Sequence, residues 1–258
     1  MTGLRLAYVF LFLASCYIQC CYGVDSIIGH DDPYYRTLPC PNPEDIAPCA
    51  CFYFNEGMHM NCTHISDDEE LHQVFHSLIP FPAFRSLSLP TERLTTLSET
   101  VFGEVTFENV EIHCQSGIHN KDCDETLTTI DPNTFMKSVS TLRSLEIYIS
   151  NISEFPFDTI GEYLNIDTFR LTNSPLATFP TINSETLKEL YLINNTFREI
   201  PAHVLDGVPK LTHLQLQHNN IDSLAKAFMK LKVLLNLVNY SSQLTRLHRT
   251  RFDLSGPS

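Results

Sequence analysis

The sequence predicts an α/β solenoid, a stack of coils whose curved parallel β-sheet forms the concave side, with a disulfide-rich cap over its N-terminal end. Three observations predict it: an apolar template that recurs about every 24 residues, a cluster of four cysteines ahead of the first copy, and an apolar leader that directs the chain into an oxidising compartment.

The template is LxxLxLxxNxLxxL, with apolar residues at positions 1, 4, 6, 11 and 14, the spacing of a leucine-rich repeat. The clearest copies are Leu187, Leu190, Leu192, Asn195, Phe197, Ile200 and Leu211, Leu214, Leu216, Asn219, Ile221, Leu224. Upstream, Ile166, Phe169, Leu171, Ser174, Leu176, Phe179 and Leu142, Leu145, Ile147, Ser150, Ile152, Phe155 carry Ser in the Asn slot. Earlier copies run Phe84, Leu87, Leu89, Leu94, Leu97 and, interrupted, Phe107, Val110, Ile112, Leu127, Ile130.

The starts at 84, 107, 142, 166, 187 and 211 lie 23, 35, 24, 21 and 24 residues apart. The long interval contains CQSGIHNKDC, so Cys114 and Cys123 are expected to pinch an insertion into a loop; closing ten residues contributes about 3 kcal/mol in the chain-entropy picture.

Each copy places a short strand over positions 3 to 7, with positions 4 and 6 pointing inward and 3, 5 and 7 outward. One coil cannot bury its leucines alone, so stability comes from stacking neighbours. Asn195 and Asn219 are expected to turn inward and satisfy backbone groups that the turn leaves unpaired, a role that Ser150 and Ser174 fill only in part. Phe135, Leu205 and Phe228 supply apolar residues on the convex side, and Pro156, Pro180 and Pro201 follow the last apolar position, where extended backbone suits proline.

Residues 1–23 read as a signal peptide: Arg5 precedes an uncharged run from Leu6 to Ile18, too short to cross a bilayer, and small residues return near Gly23. No later stretch approaches membrane-spanning length and the C-terminus has no lipid-anchor tail, so a soluble, secreted, extracellular chain without membrane insertion is expected. Losing Arg5 leaves 16 cations against 30 anions, a net charge of −14, which repels nucleic acid. Cys16, Cys20 and Cys21 depart with the leader, and the six that remain, Cys40, Cys49, Cys51, Cys62, Cys114 and Cys123, read as a disulfide framework.

Residues 24–83 form the N-terminal segment. Its cysteine cluster is expected to cover the open end of the core with Phe52, Phe54 and Met58, and ISDDEELHQVFHSL reads as a short helix with a Ser66/Glu69 capping box and a Leu71, Val74, Phe75, Leu78 face. The repeats span 84–237 with the bridged insertion at 114–123. Residues 238–258 form an atypical tail: in the coil of Leu234 and Leu237 position 6 is Asn239, and no cysteine flank follows, so the tail reads as a truncated repeat.

The CPxxx…CxC…C cluster resembles the cysteine-rich N-terminal flank of extracellular leucine-rich-repeat proteins. That resemblance implies the pairings Cys40 to Cys51 and Cys49 to Cys62. Together with EELHQVFHSL, LTTLSETVFGEV and LTTIDPNTF, over about residues 38 to 237, the pattern is similar to secreted arthropod leucine-rich-repeat proteins named after the non-catalytic subunit of Oplophorus-luciferin 2-monooxygenase. It implies an accessory protein rather than light emission.

Chemistry is sparsely signalled. His72 and His76 have metal-ligand spacing on the helix, but no third ligand is evident and they read as surface histidines. Zinc on the four clustered cysteines is disfavoured by secretion. His113, His119 and Asp122 flank the pinched loop, where an alternative reading would centre a hydrolase or oxidase. No GxSxG, HExxH, P-loop or GxGxxG occurs, and Asp67, Asp68, Glu69 and Glu70 are accounted for by the helix dipole. No catalytic residue, metal or cofactor is assigned.

The expected working surface is the concave face. Its outward positions include Ser86, Asn109, Ser144, Thr168, Glu189 and His213; Ser88, Glu111, Glu146, Arg170, Tyr191 and Gln215; and Pro90, His113, Tyr148, Thr172, Ile193 and Gln217. Strands about 4.8 Å apart bring Glu146, Tyr148, Arg170, Tyr191 and Ile193 into one patch with the aromatic and Arg character of interface anchors. Sequons at Asn61, Asn151, Asn194 and Asn239 are candidate glycosylation sites, Asn151 and Asn194 the most plausible. The function expected is that of a secreted, non-catalytic binding or accessory protein with a protein partner. A receptor ectodomain fragment is a further alternative.

Overall fold

The computed structural model describes residues 39–114, 123, 126–221 and the backbone of 236–238. The expected leader at 1–23, the segment up to residue 38, His119, Asp122, Leu224, Phe228, Leu234, Asn239 and the tail beyond it lie outside the described residues.

The chain begins its described part with a single helical turn, α1 (Pro43–Ile46), and a hairpin of β1 (Ala50–Phe54) and β2 (Gly57–Asn61). Helix α2 (Asp68–Phe75) follows, then β3 (Ala83–Pro90), β4 (Thr96–Leu97), β5 (Thr106–His113), β6 (Thr129–Ile130), β7 (Ser144–Ile147), β8 (Thr168–Leu171), β9 (Glu189–Tyr191), β10 (His213–Gln215) and β11 (Asn236–Val238). The main sheet runs β1-β2-β3-β5-β7-β8-β9-β10-β11, parallel throughout except for β1. One strand per coil is what a repeat near 24 residues must give, because each turn of the chain returns to the same side of the stack.

Leu87 pairs with Val110, Val110 with Leu145, Leu145 with Phe169, Phe169 with Leu190 and Leu190 with Leu214, so the template's position 4 forms a continuous inward row. All six are at most 1% exposed. Strands β7 and β8 alternate half-buried and buried residues, as an outward 3 and 5 with inward 4 and 6 require. β3 and β5 are eight residues long, more than the template predicts, because the ladder continues back to Ala83 and Thr106. On a second side of the stack β4 pairs with β6, Leu97 opposite Ile130, so the repeat resumes in register after the insertion.

Phenylalanines fill the space between coils. Phe102 meets Phe107 and Phe75 edge-on at 5.1 and 5.0 Å and stacks on Phe135 at 5.3 Å; Phe155 and Phe157 pack on Phe169, and Phe179 on Phe197. Phe135 and Leu205 are both buried.

The cap is more sheet-like than expected. β2 pairs in parallel with β3, His59 opposite Ser86 and Asn61 opposite Ser88, and so acts as a preceding coil with Met58 and Met60 buried. Disulfides join Cys40 to Cys51 and Cys49 to Cys62, with Cα atoms 5.7 and 4.3 Å apart. Phe52 and Phe54 do not plug the core: they lie on the edge strand β1, 40% and 51% exposed, and the Phe54 ring stacks on His59.

Helix α2 starts one residue later than the sequence suggested. Asp67, not Ser66, is the N-cap and accepts from Glu70 N at 2.8 Å, while the Glu70 carboxylate accepts from Ser66 N at 2.7 Å. Asp67 thus caps the helix and Glu70 reaches back past it to the Ser66 N–H, an arrangement like a capping box but one residue wider, since a carboxylate does the same job as the Ser66 hydroxyl with charge to favour the helix's positive end. Leu71, Val74 and Phe75 are buried, but Leu78 falls beyond the helix and is 73% exposed. Asp68 reaches the first coil, accepting from Thr95 N at 2.8 Å and from the Thr95 hydroxyl.

Candidate functional site

Three neighbouring strands build the patch on the outward side of the sheet. Glu146 of β7 lies opposite Arg170 of β8, which lies opposite Tyr191 of β9, because each occupies position 5 of its coil. Tyr148 follows β7 at position 7, its backbone N–H donating to Ile112 O at 3.0 Å, and Ile193 follows β9, half-buried.

Glu146 is saturated with donors. The Ser144 hydroxyl donates to Oε1 at 2.9 Å, and the Tyr148 hydroxyl and Arg170 Nε donate to Oε2 at 2.7 and 2.8 Å. Burial alone would raise this carboxyl's pKa, but the hydrogen bonds from Tyr148, Arg170 and Ser144, with the guanidinium charge, hold it below the ordinary range. The Arg170 guanidinium in turn lies 3.9 Å from the centroid of the Tyr191 ring and 5.2 Å from that of Tyr148. Side chains of Arg170 and Glu146 are only 19% and 25% exposed, so the ion pair is partly withdrawn from water and less screened than a surface pair.

The second tyrosine is fixed the same way. Tyr191 donates to Glu189 Oε2 at 2.6 Å, and burial together with that carboxylate pushes its phenol up to about 12. Burial and Glu146 push Tyr148 up as well. Both hydroxyls therefore stay protonated near neutrality, and each ring is tethered through its hydroxyl to a carboxylate. His213 lies 4.0 Å from Glu189, extending the polar chain to β10.

Of the five residues read from the sequence as one patch, Glu146, Tyr148, Arg170 and Tyr191 are already in contact with one another, and Ile193 lies half-buried beyond the end of β9. They present aromatic surface around a neutralised cation, with Glu111 and Glu189 beside it. Chemically such a surface can bind; it lacks a free nucleophile, a general base with a partner, or an open ligand set.

Two outward positions are corrected. Thr172 is buried, its hydroxyl donating to Tyr148 O at 2.9 Å, and Pro90 is buried too. Thr172 lies just past the end of β8, whereas Pro90 is the last residue of β3, paired with His113, so facing outward at position 7 does not guarantee exposure.

Sequence reasoning missed the neighbouring rim. Asn173, Asn194 and His218, all at position 8, adopt left-handed backbone with φ of 54°, 52° and 61°. Asn173 Nδ2 donates to Tyr148 O at 2.9 Å and Asn194 Nδ2 to Asn173 Oδ1 at 2.7 Å, a side-chain ladder across the coils. Asn beside an Asn slot was the available signal, since Asn tolerates that conformation better than other residues.

Asn219 sends Nδ2 to Leu192 O at 2.6 Å and Leu216 O at 3.0 Å and accepts from Asn195 N at 3.2 Å. Asn195 donates to Leu171 O at 2.9 Å, but its buried Oδ1 has no partner among the described residues. The chain of side chains changes there: Ser174 turns to Ser150 instead, Oγ to Oγ 2.8 Å.

The sequons differ. Asn151 and Asn194 are exposed, Asn61 is half-buried in β2 with its Oδ1 accepting from Thr63 N and Oγ1, and Asn239 lies outside the described residues. Cys114 and Cys123 are bridged, with Cα atoms 6.2 Å apart. Glu92 stands near both sulfurs, but each sulfur is consumed by the other, leaving no thiolate for a metal. His113 Nδ1 lies 3.0 Å from Cys114 O. His72 and His76 stack at 3.8 Å, and no third His, Cys, Asp or Glu joins them in a ligand group among the described residues. Among the described residues no helix is long and apolar enough to cross a membrane.

Residues 185–239 match the family model for the leucine-rich repeat. The chain is also 32% identical over 179 residues to the Oplophorus-luciferin 2-monooxygenase non-catalytic subunit of Oplophorus gracilirostris, an alignment covering 68% of this chain and 47% of that protein. The chain thus spans about half the length of the curated relative it matches. With one strand of inward apolar residues per coil, a cysteine-bridged cap and these two matches, the chain belongs to the leucine-rich-repeat family and resembles that non-catalytic subunit.

Proposed function

We propose that this chain is a secreted, non-catalytic accessory protein that engages a protein partner through the outward, concave face of its repeat sheet. The observation that carries the reading is the Arg170 guanidinium held over Tyr191 and tied to Glu146. Rigid tyrosines and a desolvated arginine at the middle of a surface are the residue types on which interfaces concentrate their binding energy, and ordering them beforehand lowers the entropy cost of association. Three disulfides support an oxidising, extracellular location. The named relative is a non-catalytic subunit, which supports a role without turnover.

The test is affinity capture from the native fluid with the purified full-length chain and a Tyr148→Ala/Tyr191→Ala variant that circular dichroism and a cooperative melt well above the assay temperature show to be folded. A stoichiometric protein partner retained by the wild type and lost at least tenfold with the variant supports the reading. Equal capture by both chains, or none by either, counts against it.

A further inference from the structure

We propose that Asn151 is an acceptor for an N-linked oligosaccharide and that Asn194 stays bare, so that the sugar stands beside the Tyr148 and Tyr191 face rather than over it. The inference rests on the secretory location proposed above and on the geometry of the three described sequons.

Asn151 is exposed, and its side chain makes no hydrogen bond among the described residues. The backbone N–H is satisfied by Leu127 O at 2.9 Å, which fixes the residue without using its amide. Its neighbours divide cleanly: Ile152 is fully buried and anchors the turn, while Ser153, the hydroxyl residue of the sequon, is exposed. A glycan on Asn151 Nδ2 therefore displaces nothing.

Asn194 is exposed, but one of its two amide N–H groups is engaged and its backbone is fixed. Its Nδ2 donates to Asn173 Oδ1 at 2.7 Å, its N–H donates to Gln217 O at 2.8 Å, and its backbone is left-handed. A sugar on that nitrogen has to be fitted against the rim ladder that runs from Tyr148 O through Asn173. Asn61 is worse placed: Thr63, only 8% exposed, spends both its N–H and its hydroxyl on Asn61 Oδ1, and the intervening Cys62 is bridged and fully buried.

The step is a glycosyl transfer from a polyprenyl-pyrophosphate oligosaccharide. The Nδ2–C1 bond forms, the bond from C1 to the pyrophosphate oxygen breaks, the lipid pyrophosphate leaves with the electron pair and one amide proton passes to solvent. The amide keeps one N–H.

The experiment expresses the full-length chain in a eukaryotic secretory host, collects medium and cells, and digests with amidase in heavy-oxygen water before peptide mass spectrometry. The expected result is labelled aspartate at 151 in most molecules and unmodified asparagine at 194, with Asn151→Gln collapsing the gel mobility shift and Asn194→Gln leaving it unchanged. Secreted chain with residue 151 unmodified, or with residue 194 occupied as fully as 151, overturns the proposal while leaving the secretory location intact. A chain found only in the cytosol with free thiols overturns both.

Discussion

The Arg170 guanidinium sits 3.9 Å from the centre of the Tyr191 ring, while its Nε is bonded to Glu146 one strand away. Three successive coils of the repeat are thereby joined on their outward side by contacts that do not depend on the leucine core. A double-mutant cycle on Arg170→Ala and Tyr191→Ala is expected to return a coupling of about 1 to 2 kcal/mol in denaturant unfolding, between the ranges for an exposed and a desolvated cation–π pair, since the Arg170 side chain is 19% exposed. Arg170→Lys should keep the charge and lose most of the coupling, because an ammonium does not stack and bond through one planar group.

Glu146 makes stability depend on acid. Its folded-state pKa is depressed, so the carboxylate contributes stability above its unfolded value of about 4.3 and that contribution disappears as pH falls through the folded value. Glu146→Gln should lower the melting temperature at neutral pH, with the gap from wild type closing as acid protonates the native carboxylate. Melting curves across the acid range read this directly.

Asn219 and Asn195 fill the same slot with unequal returns. Asn219 uses its donor and its acceptor, whereas Asn195 Oδ1 is buried without a partner among the described residues. Asn219→Ala is expected to cost about 2 to 3 kcal/mol and Asn195→Ala about 1 kcal/mol less, since the latter substitution also removes an unsatisfied acceptor. Equilibrium unfolding of the two variants checks the order.

Asp68 ties helix α2 to the first coil through Thr95 and Thr96. Asp68→Ala should cost about 1 to 2 kcal/mol, as loss of hydrogen bonds to a half-buried charged group does, and Asp68→Asn less, because the amide oxygen still accepts from Thr95 N. Thermal melts of the two variants separate hydrogen bonding from charge.

The core was legible because leucine spacing is set by the coil's own geometry. Every position-4 residue from Leu87 to Leu214 is buried, and the 35-residue interval marked the insertion that β4 and β6 bracket. Polar detail was less legible. Ser66 and Asp67 are both good caps one residue apart, and only the fold decides between them. Phe52 and Phe54 look like core residues in isolation, yet β1 is an edge strand whose neighbour supplies the buried Met58 and Met60. Alternation placed the patch residues on one side of the sheet, but not the fact that Glu146 and Arg170 neutralise each other, because the two are 24 residues apart and meet only through strand register.

The most direct test of the partner-binding claim is site-specific photo-cross-linking on the full-length chain in its native fluid. A photoreactive residue replaces Gln215, on the strand next to Tyr191, or Asp158, exposed in the 3-10 turn Phe157–Gly161 away from the sheet. The account predicts a single protein adduct from position 215 that is lost with Tyr191→Ala and is not formed from position 158. The same adduct from position 158, with none from 215, contradicts it.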